Sequence, residues 1–394
     1  MRKSSVNLTS TEKQATLSLA AIFAFRMLGL FMIIPVFSLY AQQLKGTTPL
    51  LMGIALGCYG LTQALLQIPF GMWSDKIGRK PIIILGLSLF ALGSVVAAYS
   101  HTIWGVIIGR SLQGAGAIGS TIIALLADLT SEQVRTKAMA VIGITIGTAF
   151  SLGMILGPIL NTLINVSGIF WLTAILAICG LMVLSYVPTP KKIVVHPEAE
   201  IIAADFRSVL RDKKLLQLDL SILLSHAILT ASFVALPISL QNNAGLTEAH
   251  QWWLYLPVLL LAFISMPPFI MLAERKYPTG IFILSVCGLI IAEISFWVWQ
   301  HSILGTAVAL WLFFTSFTIL EAILPSKVSK TAPAHSKGTA IGIYSSCQFF
   351  GIFLGGCLGG WIYGHYNAGV VLLVCAMLAI LWLGITISGV NFKK

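Results

Sequence analysis

Long apolar runs, parted by short polar connections, follow one another along the whole chain. A helix needs about 20 apolar residues to cross a bilayer, and somewhat more when it tilts. By that measure twelve runs qualify: 15–42, 50–73, 81–99, 103–127, 138–163, 168–187, 215–240, 249–273, 279–300, 302–325, 338–363 and 368–390. Only one connection is long, and it divides the runs into six and six. The pattern predicts an all-α integral membrane protein: an N-terminal six-helix bundle over 1–187, a linker over 188–214 and a C-terminal six-helix bundle over 215–394.

Composition narrows the class. The chain has 394 residues, of which 57% are hydrophobic and 9% charged, with a mean hydropathy of +0.93. Soluble domains carry about 25% charged residues, so a water-exposed surface could not be built from this chain. Of the 24 Lys and Arg, Arg26 and Arg110 fall inside spans and Lys45 falls in the first connection of the opposite side. The other 21 lie on one face: the termini, 74–80, 128–137, 188–214, 274–278 and 326–337. Basic connections stay in the cytoplasm, so both termini are expected there. The net charge of +11 is this asymmetry, which suits anionic lipid headgroups and is no sign of nucleic acid.

The six cysteines all sit in apolar runs without C-x-x-C spacing, and no metal site is expected. The basic start of the chain leads into a run of about 28 residues that contains Arg26 and lacks a clear cleavage site, so a retained first span is expected. No P-loop, H-x-x-x-H, nucleophile elbow or dinucleotide fingerprint occurs. That argues against an enzyme and against a pump that hydrolyses ATP within this chain. No cofactor is expected, and the energy must come from a gradient; a proton entering down the membrane potential supplies about 2.3 kcal/mol per 100 mV.

The two sets of six spans echo each other in order. Phe31 and Pro35 of the first span correspond to Phe233 and Pro237 of the seventh. GMILGP at 153–158 corresponds to GIFLGG at 351–356, and ALLADL at 124–129 to AILPSK at 322–327. Internal repeats of this kind mark transporters that bind substrate between two bundles and rock about that site.

The connection FGMWSDKIGRKPI at 70–82 concentrates Asp75, Lys76, Arg79 and Lys80 beside Gly71 and Gly78. A plain basic connection would not need the acid or the two glycines. Every fixed position of G-x-x-x-D-[RK]-x-G-R-[RK] is met here, and in this the chain resembles the major facilitator superfamily. The resemblance implies a major facilitator fold of two pseudo-symmetric bundles, and it makes this loop a latch between them. Gly71 allows close helix approach, Gly78 a tight turn and Pro81 a helix start. Asp75 is expected beside the positive end of the eleventh span, near Lys337 and Gly338, and the family pattern pairs Arg79 with Asp128. The counterpart at 271–278 keeps Glu274 and Arg275 but lacks the glycines, so a latch is expected on one side only.

Further stretches resemble the twelve-span drug:proton antiporter branch. LGLFMIIPVFS at 28–38 fits its first-span pattern except that Ser38 replaces a proline. Gly153, Gly157 and Pro158 meet its G-x-x-x-G-P pattern, although Leu160 and Asn161 stand where glycines often follow. FRMLGLF (25–31), YGLTQALLQIPFG (59–71) and LEAILPS (320–326) resemble the YajR-like members of the superfamily. Such relatives often carry a small soluble domain after the twelfth span; this sequence ends at Lys394, so that domain is expected to be absent or removed. The resemblance implies a bacterial inner-membrane location.

Ionisable residues inside spans are costly and point to function. Arg110 is expected to face a central cavity and couple protonation to substrate binding, against a plain role of pairing with helix carbonyls. Arg26 is expected to meet an acid across the cavity. Glu321 is the preferred proton carrier, with His226 as either a titrating group or a helix-to-helix hydrogen bonder. Asp219, one turn into the seventh span, reads as an interfacial cap. The expected activity is proton-coupled export of a small amphipathic compound, a drug-type efflux by alternating access, with that compound, protons and the lipid bilayer as partners. The alternatives are proton-coupled uptake of a metabolite, or a receptor or scaffold that keeps the fold without transport.

Overall fold

The computed structural model describes residues 8–189 and 205–391. Most of the linker expected at 188–214 therefore lies outside the described residues, as do the chain ends. Among the described residues the regular structure is helical, with one isolated bridge between Lys45 and Thr102. The helices are α1 (Ser10–Phe31), α2 (Phe37–Gln42), α3 (Pro49–Ile77), α4 (Arg79–Tyr99), α5 (Ile103–Ala115), α6 (Gly119–Leu129) and α7 (Glu132–Tyr186). After the linker come α8 (Phe206–Val209), α9 (Lys213–Asn242), α10 (Gln251–Arg275), α11 (Pro278–Val298), α12 (Ile303–Thr331), α13 (Lys337–His365) and α14 (Ala368–Asn391).

Among the described residues eleven helical stretches are long and apolar enough to cross a membrane, and α7 holds two spans, making twelve crossings. The division of α7 falls at Asn165, whose φ of 56° and ψ of 173° break the helix. Two spans are interrupted where the sequence reading made them continuous. The first breaks after Phe31 in a turn over 32–36 that contains Pro35, because proline cannot donate to the preceding turn. The fourth breaks between α5 and α6 near Gly116. Pro237, the counterpart of Pro35 in the repeat, instead lies inside an unbroken α9.

Local signals account for the helix starts. Thr9 and Glu12 form a capping box on α1, and Glu12 Oε1 also accepts the Ser131 backbone N–H at 2.9 Å, tying α1 to the start of α7. Thr48, Thr102, Asp212 and Ser302 cap α3, α5, α9 and α12 through their side chains. Asp212 is thus the cap of the seventh span. Asp219, expected in that role, is buried at 4% exposure about two turns further in. At the end away from the basic connections, Lys45 N–H donates to the His101 carbonyl at 3.1 Å, so the first and third connections share that end.

Lipid tails give apolar helices no hydrophobic reason to associate, so close packing of small residues decides which helices meet. The repeat is visible in this packing. A side chain at Gly157 of α7 would lie 2.2 Å from the Met32 carbonyl after α1, and one at Gly355 of α13 would lie 2.2 Å from the Ala227 carbonyl of α9. GMILGP therefore seats the fifth span on the first as GIFLGG seats the eleventh on the seventh. Between the halves, α3 and α13 approach at Gly53, where an added Cβ would meet the Gly356 carbonyl at 2.0 Å.

Candidate functional site

Three groups of polar residues are built on this frame. The first is the connection between α3 and α4. Gly78 adopts φ 107°, a region that side chains disfavour, so a single residue ends α3 and starts α4. This turn folds Arg79 back against α3, leaving its side chain 2% exposed. Arg79 Nε donates to Asp128 Oδ2 at 3.1 Å, at the end of α6, and Nη1 donates to Ser74 Oγ at 2.8 Å. Arg79 is also ion-paired with Asp75, one turn back on α3. The Ser74 hydroxyl donates to the Gly71 carbonyl at 2.6 Å. Lys80 donates to the Val187 carbonyl beyond α7, while Lys76 is exposed.

Gly71, Asp75, Arg79 and Asp128 thus belong to one charge-assisted cluster at the basic end. The partner that the structure gives Asp75 is Arg79, whereas the sequence reading put it beside the start of α13. Glu274 and Arg275, at the matching place in the second half, are exposed to solvent.

The second group lies inside the first half. Arg110 is 1% exposed and directs Nη2 to the Leu56 carbonyl at 3.1 Å, Nε to the Ala55 carbonyl at 3.4 Å and Nη1 to Gln113 Oε1 at 3.2 Å. Gln113 Nε2 in turn donates to Ser94 Oγ at 2.8 Å, so α5 is fastened to both α3 and α4. Arg26, also 1% exposed, donates to Gln63 Oε1 of α3. The acid expected as its partner is replaced by this neutral amide, whose nitrogen donates on to Gln67 Oε1 at 2.7 Å.

The third group lies in the second half. Gln348 of α13 directs its amide nitrogen to His226 Nε2 at 3.0 Å and to Glu321 Oε2 at 3.3 Å. An amide nitrogen carries only donors, so His226 Nε2 accepts and the neutral ring keeps its proton on Nδ1. That nitrogen faces the Ile222 carbonyl at 3.3 Å and Glu321 Oε1 at 3.7 Å. Three helices, α9, α12 and α13, thereby bring a histidine and a carboxylate together in the membrane. The Glu321 side chain keeps 29% exposure, against 7% for His226. Elsewhere in this half, Glu293 is fully buried and accepts from Ser232 Oγ at 2.6 Å.

Aromatic rings connect this third group with the first half. The His226 ring lies 5.4 Å from Phe317, Phe317 lies 5.6 Å from Phe150 of α7, and Phe150 lies 5.0 Å from Phe31 of α1. Two hydrogen bonds join the halves nearer the end of Lys45. Ser38 Oγ donates to the Phe233 carbonyl at 2.8 Å, and Asn161 Nδ2 donates to Glu248 Oε1 at 2.6 Å. Ser38 and Asn161 are two positions where the chain departs from the antiporter patterns.

Comparison with known proteins decides the family. The Major Facilitator Superfamily model matches residues 19–356. The chain belongs to the major facilitator superfamily. Inner membrane transport protein YajR of Escherichia coli (strain K12) is 46% identical over 378 residues, covering 95% of this chain and 83% of that one. Tetracycline resistance protein, class E, of Escherichia coli is 30% identical over 148 residues, 37% of this chain and 35% of that one. Among solved structures, a bacterial homolog of the human lysosomal transporter Spinster, inward-facing and occupied, superposes with a TM-score of 0.78 at 13% identity, over 98% of each chain. That last likeness shows the fold alone. This superfamily member is a multi-pass membrane transporter.

Several residues of these groups escaped the sequence reading. Gln63 and Gln67 lie in YGLTQALLQIPFG but, like Gln113, were given no role there, although a glutamine in an apolar span is itself a sign of a helix-to-helix hydrogen bond. Gln348 and Phe150 lie outside every stretch singled out in the sequence; only the packing of helices far apart in the chain brings them to Glu321, His226 and Phe31.

Proposed function

We propose that this transporter is a proton-coupled antiporter that exports small amphipathic compounds by alternating access, with both termini in the cytoplasm. The observation that carries the reading is the Glu321–His226–Gln348 group. It places a partly exposed carboxylate and a histidine, groups able to take up and release a proton, beside rings that reach into the opposite half. Proton binding there changes the charge next to Phe317 and Phe150, so it alters how the halves meet. Phe31, Phe150 and Phe317 offer the apolar surface that an amphipathic compound needs. Arg110 and Arg26 are fixed cations buried within the first half, Arg110 against the carbonyls of Ala55 and Leu56, and Gly153, Gly157 and Pro158 hold the fifth span against the first. The cluster of Gly71, Asp75, Lys76, Gly78, Arg79, Lys80 and Asp128 latches the basic end when the halves close there. Ser38 and Asn161 hold the opposite end. The partial similarity to tetracycline resistance proteins favours export over uptake.

The test is reconstitution into liposomes with a trapped pH dye, an imposed pH gradient and a panel of lipophilic cations, sugars and amphipathic metabolites. Export by antiport requires protons to move against the solute, and Asp75→Asn to slow turnover. Movement of both in one direction would replace this reading with uptake. Silence across the panel would favour a receptor or scaffold.

A further inference from the structure

Arg26 has an unusual environment for a membrane cation. The first half contains four carboxylates, Glu12, Asp75, Asp128 and Glu132, and all of them lie in or beside basic-end connections. Arg26 and Arg110 are the buried cations of its spans, each 1% exposed. Arg110 has carbonyl and amide acceptors on its guanidinium nitrogens. Arg26 has one acceptor, Gln63 Oε1, while its Nε and Nη1 are buried with no hydrogen-bond partner among the described residues. Gln63 offers Arg26 that oxygen alone, because its amide nitrogen is a donor directed at Gln67.

The surroundings supply faces and donors. Arg26 Cζ lies 5.9 Å from the centre of the Tyr59 ring and 5.8 Å from that of Phe90. Arg110 Cζ lies 5.3 Å from the same Tyr59 ring. The Tyr59 hydroxyl is likewise buried without a partner. Ring faces offset part of the desolvation cost of a guanidinium, and an unpaired buried cation retains the rest. A guanidinium donates and never accepts, so the unpartnered Nε and Nη1 of Arg26 call for an acceptor, and two positive charges favour an anionic one.

We propose that Arg26, Arg110 and Tyr59 form an anion site within the first half. It takes one small monoanionic group, a halide or a carboxylate, on Arg26 Nε and Nη1, with the field of Arg110 adding to its hold. A carboxylate can reach this site as a free ion or as the head of a longer amphiphile, and the chemistry of recognition is the same. The inference does not rest on the direction of transport or on proton coupling.

The experiment is the melting of the purified full chain in detergent, followed by the fluorescence of its 10 tryptophans. Sodium chloride, formate and octanoate are compared with gluconate at equal ionic strength, since a bulky hydroxylated chain does not fit against aromatic walls. Chloride and formate should raise the melting temperature saturably, by ~2–4 °C at high occupancy. Arg26→Gln should lose the rise. Tyr59→Phe, which keeps the ring, should raise the half-saturating concentration several-fold and serves if Arg26→Gln does not fold. Octanoate acting like formate would identify the head of an amphiphile as the natural ligand; action by chloride and formate alone would identify a free ion. Equal melting in chloride, formate and gluconate would overturn the proposal, as would a rise that survives unchanged in both variants.

Discussion

The two halves share one way of packing helices and bury opposite chemistry. In the first half the deeply placed ionisable groups are Arg26 and Arg110, side chains that stay charged across the working pH range. In the second half they are Asp219, Glu293 and Glu321, with His226 beside Glu321. Arginine can attract and orient, but it cannot give up a proton; carboxylates and histidine can. On the proposed reading one half therefore supplies a fixed positive field and the other the groups that load and unload. The basic-end connections differ in a parallel way. The first half closes Asp75, Arg79 and Asp128 into one cluster, and the second leaves Glu274 and Arg275 in solvent.

The shared scaffold is the part of this comparison most easily broken. Gly157→Leu and Gly355→Leu each push a side chain into a facing carbonyl 2.2 Å from the Cβ position. Both should abolish the monodisperse peak in size-exclusion chromatography, and tolerance of only one would mean that the halves do not pack alike. Next comes the division of labour. Glu321→Gln should reduce proton-coupled transport to background in the liposome assay while the melting temperature changes little; normal coupling in this variant would remove Glu321 as the proton carrier.

The connections should separate by free energy. Arg79→Ala leaves Asp128 buried without this partner and should cost about 3–5 kcal/mol, read as a lowered unfolding midpoint in detergent. Arg275→Ala should stay within about 0.5 kcal/mol, because its site is exposed. Equal effects would erase the asymmetry between the two connections. Between these two connections in size come the contacts between halves near Lys45. Asn161→Ala should cost about 1.5–3 kcal/mol and Ser38→Ala about 1 kcal/mol. Spin labels on the Lys45 ends of α2 and α9 should report a population shifted towards longer distances in both variants. Unchanged distances would show that neither bond holds that end.

Much of the first connection was legible because it is local. Asp75, Gly78 and Arg79 act on one another within one helical turn and a tight turn, so their spacing carries the geometry. Asp128 is 49 residues away from Arg79 and was reachable only through family resemblance. The groups inside the bundles were less legible. Arg26 and Glu321 stood out as charges in apolar runs, yet nothing in those runs pointed to Gln63 or Gln348 as partners. Asp219 looked like a cap because of its distance from the start of the run, but Asp212 lies about two turns earlier and has its oxygen free to meet the Lys214 and Leu215 N–H groups. Pro35 and Pro237 look equivalent in the repeat, and only one interrupts its helix.

From the sequence alone came the membrane class, the twelve crossings, the ends at which the basic connections gather and the turn at Gly78. Each of these depends on neighbouring residues measured against a bilayer of known thickness, or on a single backbone angle. The tertiary structure decided which buried polar groups meet, that Arg26 faces an amide and two rings, and that Phe150 reaches Phe317. Those outcomes depend on how each helix is rotated and tilted against helices distant in the chain. Small residues and carbonyls set that rotation by close contact, and no property of one apolar run contains it.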